Sequence, residues 1–135
     1  MRRLPVELTL AALLWAPLAP ARAARGEPKG RRPGLEGAPA SAFSRQNPYA
    51  RDPDAVAAGR KLYAIHCSKC HGERGEGWRR APSLMSHEVH QATPGAVFWY
   101  LTNGDLRRGM PAWSRLPEAR RWQLEAFLRT LSAPE

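Results

Sequence analysis

Two cysteines and a histidine stand together as Cys67-Ser68-Lys69-Cys70-His71, and the chain has no other cysteine. Thiols three positions apart can add across the two vinyl groups of one haem. A histidine directly behind them can turn its imidazole under the ring as an iron ligand. The spacing is thus that of a covalent haem attachment site, and one motif implies one haem c. Three other chemistries use paired cysteines. A disulfide across so short a span closes a tiny loop and stabilises little. A thioredoxin-like pair needs a preceding strand in a β-α-β pattern, and no such strands are legible here. A zinc site needs two further ligands, and the candidates His87 and His90 have no cysteine left to join.

Delivering the motif calls for a helix that ends at Cys67. Asp52 is placed to cap such a helix and Pro53 suits its first turn, with Val56, Leu62 and Ile65 among its apolar positions. Thr93-Pro94 predicts the start of a second helix over 95–102, closed by Asn103-Gly104. Ser114 or Pro117 opens a third, where Trp122, Phe127, Leu128 and Leu131 form an apolar stripe beside Arg120, Arg121, Glu125 and Arg129. No stretch reads as a strand. The expected fold class is all-α, three main helices wrapped around one covalently bound haem. Phe98, Trp99 and Tyr100 run consecutively, so one is expected over the haem and another against a neighbouring helix. A domain of about ninety residues is marginal on side chains alone, and an apolar plate bonded to it changes that balance.

The amino terminus speaks to compartment. Arg2 and Arg3 lead an apolar run from Leu8 to Leu18 that Pro17 and Pro20 interrupt, and Ala21-Arg22-Ala23 follows as a small-x-small cleavage pattern. Residues 1–23 therefore read as a secretory signal peptide, too short and broken to remain as a membrane span. The mature chain is expected in the periplasm. Residues 24–41, rich in proline, glycine and arginine, read as a flexible leader, and 42–133 as the folded domain. Removing 1–23 takes Arg2, Arg3, Arg22 and Glu7 with it, so the surplus of nine positive charges falls to seven.

Beyond the haem motif, the chain resembles the monohaem class I cytochrome c family over residues 48–132, most closely its small bacterial members. Gly59 and Tyr63 match the family's small-plus-aromatic pair, with Trp122 as the implied aromatic partner on the last helix. Pro82, eleven residues after His71, matches the proline whose carbonyl holds the ligand histidine. Gly109-Met110-Pro111 matches the distal loop whose methionine sulfur is the sixth iron ligand; Met85, His87 and His90 are the alternatives. Met85, just behind Pro82, is expected to line the haem pocket. Trp113 is the implied aromatic N–H near a haem propionate, against ordinary packing.

The resemblance implies outer-sphere electron transfer through a His71/Met110-ligated haem, since six ligands leave no position for substrate. The chain is then an electron carrier rather than an enzyme, acting as a shuttle or as the cytochrome subunit of a dehydrogenase or terminal reductase in a respiratory chain. The alternative is a haem-based gas sensor or catalyst with a weak sixth ligand. Lys69, Arg107, Arg108 and Arg115 flank the ligand segments and either dock an acidic redox partner in a transient complex or only aid solubility. Monomeric behaviour is expected. Nucleic-acid binding is not, since no motif for it is present.

Overall fold

A computed structural model of the chain describes residues 34–132; the signal-peptide reading of 1–23 and the first part of the leader lie outside them. A 3-10 turn at Leu35–Gly37 precedes α1 (Ala40–Phe43), α2 (Pro53–His66), α3 (Ser68–His71), α4 (His87–Gln91) and α5 (Pro94–Asn103). A second 3-10 turn at Leu106–Arg108 leads to α6 (Glu118–Leu128). The described residues hold no strand, only isolated bridges pairing Trp78 with Ala81 and Asp105 with Met110. The fold is all-α.

Local chemistry sets the three longer helices. The Asp52 carboxylate accepts from the Asp54 and Ala55 amides at 2.9 and 3.2 Å, and Pro53 occupies the first helical position of α2. Thr93 caps α5 through the Ala96 amide at 3.3 Å. Gly104 ends that helix at φ 64°, a conformation that β-carbons disfavour. Pro117 rather than Ser114 precedes α6, and no side chain caps it.

The α2–α6 crossing is the main packing event. A side chain at Gly59 would run into the Gln123 carbonyl and lie 2.8 Å from Cβ of Phe127. Tyr63, one turn later, packs on Phe127 with ring centroids 5.3 Å apart. The aromatic partner of the Gly59–Tyr63 pair is therefore Phe127 and not Trp122. Trp122 instead stacks on Phe98 of α5 at 4.0 Å, with the Arg45 and Arg121 guanidinium groups over the Phe98 ring at 4.5 and 4.8 Å.

A partly buried ion pair joins α6 to the α4–α5 corner. Glu125 is 1 % exposed and accepts from Arg129 Nε at 2.6 Å and from Asn47 Nδ2 at 2.5 Å. The rest of the Arg129 guanidinium donates to the carbonyls of Val89, His90 and Ala92 at 3.1, 3.0 and 2.7 Å. Each charge is thereby met by partners of fitting geometry, which a buried pair requires.

Part of the stretch expected as a flexible leader packs on α5. Residues 34–41 were expected in the flexible leader, yet Ala38 and Ala42 are buried against Ala96 with Trp99 packed alongside. Alanines are small enough to let this stretch lie flat on α5, so it gains burial despite its small, polar composition.

Gly59→Ala is expected to destabilise the protein by about 1–3 kcal/mol or more through overpacking. Urea unfolding of the two proteins side by side measures this, and an unchanged midpoint contradicts the close crossing.

Candidate haem site

The motif hangs from the carboxyl end of α2. The Cys67 amide still donates to the Tyr63 carbonyl at 2.8 Å, closing that helix. The next turn, α3, is held by the Cys70 and His71 amides on the Cys67 carbonyl at 3.1 and 3.0 Å. Residues three and four apart share one helical face, so both thiols and the imidazole emerge on the same side. Neither cysteine is paired in a disulfide.

Below the turn, the chain reverses through glycines and returns to the histidine. The Tyr63 hydroxyl donates to the Gly72 carbonyl at 2.6 Å, and the Gly77 amide to the His71 carbonyl at 2.8 Å. Glu76 accepts from the Arg74 amide at 2.8 Å, and such backbone amides hold its carboxyl below the usual range. The Trp78–Ala81 bridge closes a tight turn with Arg79 at φ 54°. This return places the Pro82 carbonyl 3.0 Å from His71 Nδ1. A carbonyl only accepts, so Nδ1 carries the proton and Nε2 keeps its lone pair for a metal.

The second segment is a closed loop. Asp105 and Met110 exchange two backbone hydrogen bonds at 2.9 and 3.0 Å, and Asp105 also caps the Arg108 amide at 3.3 Å. The Trp113 amide then ties the chain to the Leu101 carbonyl of α5 at 2.9 Å. Met110 is partly buried against the main apolar cluster.

All six residues singled out from the sequence, Cys67, Cys70, His71, Pro82, Met110 and Trp113, line one cavity of about 940 Å³. Apolar Leu84, Val97, Leu101 and Leu128 line it too. Its size and mixed lining suit a large apolar cofactor held by a few placed polar groups. Of the consecutive aromatics, Tyr100 lines the cavity, Phe98 stacks on Trp122 and Trp99 packs beside Ala96. Tyr100 and Tyr63 both have raised pKa values from burial, that of Tyr63 reaching about 12. Burial, with Cys70 nearby, pushes the Cys67 thiol up to about 11.

Other expectations change. Met85 is not among the lining residues, although its neighbours Leu84 and Ser86 are. His87 and His90 are likewise absent from the lining, while Glu88 and Val89 between them are present. Lys69 and Arg108 line the cavity, whereas Arg107 and Arg115 do not; Arg115 lies over the Trp113 ring at 5.1 Å. Arg79 and Arg80 also line it, brought there by the turn at Trp78. The glycines ahead of that turn were the only sequence signal for it. His66 stacks on Trp113 at 5.0 Å.

A small all-α fold with this motif at the cavity defines a monohaem class I c-type cytochrome. The chain belongs to the family described as Cytochrome C oxidase, cbb3-type, subunit III, which matches residues 54–128. It is 34 % identical over 56 residues to the Cbb3-type cytochrome c oxidase subunit CcoP of Rubrivivax gelatinosus. That match takes in 41 % of this chain and 18 % of the relative, so the chain spans less than a fifth of that protein. Among solved structures, cytochrome CL from Methylophaga aminisulfidivorans MPT superposes with a TM-score of 0.58 at 24 % identity, covering 80 % of this chain and 72 % of that one. This likeness concerns the fold. Family membership brings covalently bound haem c and electron transfer as the function.

The Tyr63 phenol makes a pH-dependent contribution. An unfolded tyrosine ionises near pH 10, and the folded one only at about 12. Between those values the unfolded chain binds fewer protons, so stability is full below about pH 10 and falls as pH rises towards 12. Urea unfolding across this window is expected to show a shallower decline in Tyr63→Phe than in the parent. Equal slopes contradict the assignment.

Proposed function

We propose that the chain is a periplasmic one-electron carrier, or the cytochrome subunit of an oxidoreductase. Its haem c is bound through Cys67 and Cys70 and ligated by His71 and Met110. The observation that carries this reading is the His71–Pro82 hydrogen bond at 3.0 Å, because it leaves Nε2 as a free donor beside both attachment thiols. Met110 supports it from a loop pinned at both ends and lining the same cavity.

When bound, the haem supplies an iron that gains or loses one electron. The residues do the rest. Pro82 fixes the imidazole plane and raises the basicity of His71. Gly104 and the Asp105–Met110 pair hold the methionine in position; a side chain at Gly104 would lie 2.5 Å from the Pro111 carbonyl carbon. Leu84, Val97, Leu101 and Leu128 exclude water, which disfavours the more positively charged oxidised state. A thioether ligand acts in the same direction, so a positive reduction potential follows.

Lys69, Arg79, Arg80 and Arg108 at the cavity, with Arg107 beside them, suit an acidic docking face on the redox partner. The name of the Rubrivivax relative supports a respiratory oxidase as one such partner. The signal-like residues 1–23 support export. Among the described residues, no helix is long and apolar enough to cross a membrane.

The oxidised protein is expected to show the weak far-red sulfur-to-iron band. Met110→Ala should lose it, lower the potential and admit carbon monoxide to the ferrous haem. An unchanged low-spin spectrum in that variant excludes Met110. Carbon monoxide binding to the unaltered protein at neutral pH favours a gas-binding role instead.

Electron-transfer rates with an acidic partner should fall steeply with ionic strength, as electrostatic steering requires. Rates that ignore salt contradict the docking face.

A further inference from the structure

The family match covers residues 54–128, yet part of the cavity wall lies ahead of it. Gly34 and Leu35 line the cavity, and Leu35 packs against the same apolar cluster as Cys67, Leu84 and Met110. The segment that carries Leu35 is anchored in three places. Ala38 and Ala42 are buried against Ala96. A side chain at Gly95 would run into the Ala42 carbonyl, so the segment lies directly on the α5 backbone. Arg45 then pairs with Glu118 and covers the Phe98 ring at 4.5 Å. A stretch fixed this firmly to α5 and α6 presents Leu35 to the cavity as a settled part of its wall.

We propose that Leu35 is an apolar cover for the haem, contributed by residues 34–43, and that it sets solvent access to the haem and so tunes its potential. The proposal rests on the cavity being the haem site. Its physical basis is the extra positive charge of the oxidised state. A dry, apolar neighbour disfavours that charge, and water admitted in its place favours it. Leu35→Ala removes apolar volume from the wall without altering any charge, so its effect reports on access and dielectric alone.

The test uses the full-length protein carrying covalent haem, with midpoint potential, rate of electron exchange with hexacyanoferrate and melting temperature measured for each variant. Leu35→Ala should lower the potential by an amount equivalent to up to about a tenfold change in the redox equilibrium, which is about 59 mV for one electron. It should also speed exchange. Leu35→Val should move both in the same direction by less, and it serves if the alanine variant does not fold. Val89→Ala, on another part of the wall, is the control. If Val89→Ala shifts the potential and the Leu35 variants change only the melting temperature, Leu35 is a structural anchor and the proposal falls. If none of the three shifts the potential, the cavity is not the haem's surroundings, and the site assignment falls together with the proposal.

Discussion

Where α2 crosses α6, the backbone at Gly59 comes so close to the Gln123 carbonyl that no side chain fits between them. The rest of the molecule depends on that contact because it fixes two helices beside the cavity that the haem-motif residues line. The two longest helices are therefore locked to each other beside it. Cys67 ends one of them, and the Arg129 clamp continues from the other. The attachment turn and the opposite corner are thus referred to a single rigid crossing.

The Glu125–Arg129 pair extends this rigidity to a part of the wall with little helix of its own. The α4 helix is five residues long, too short to persist by itself. Its Val89 and His90 carbonyls and that of Ala92 are taken by one guanidinium, which is in turn held by a buried carboxylate. Val89 and Glu88 line the cavity from this anchored turn. The ion pair thus serves position; well-packed apolar residues could match it for stability alone.

What the sequence disclosed was chemistry confined to neighbouring residues. The Asp52 and Thr93 caps, the helix ending at Cys67 and the loop around Met110 depend on short-range patterns, and the structure places them where those patterns indicate. Long-range pairings were less legible. Trp122 and Phe127 both read as apolar stripe, yet five residues on a helix turn about 140°, so they face different neighbours. Phe127 shares its side with Gln123, one helical turn earlier, and that side meets Gly59. Glu125 and Arg129 stood in the sequence only as charged residues beside the stripe, because nothing local foretells three acceptor carbonyls near residue 90. The packing of residues 34–41 was hidden for a related reason. Proline and glycine argue for a loose chain, and only the flat surface of α5 at Gly95 and Ala96 gives the alanines something to bury against.

The two cysteines of the motif meet different surroundings in the folded chain. Cys70 is exposed, while Cys67 is partly buried with its thiol pushed up to about 11 by burial and by Cys70. At neutral pH a thiol in that state holds almost no reactive thiolate. A chain that closed its helices before meeting haem would present Cys70 at the surface and Cys67 partly covered by its neighbours. The order of events in maturation then matters, because closing the fold partly covers one of the two sulfurs that haem must reach. The packing that keeps the finished site dry also penalises early closure during biogenesis.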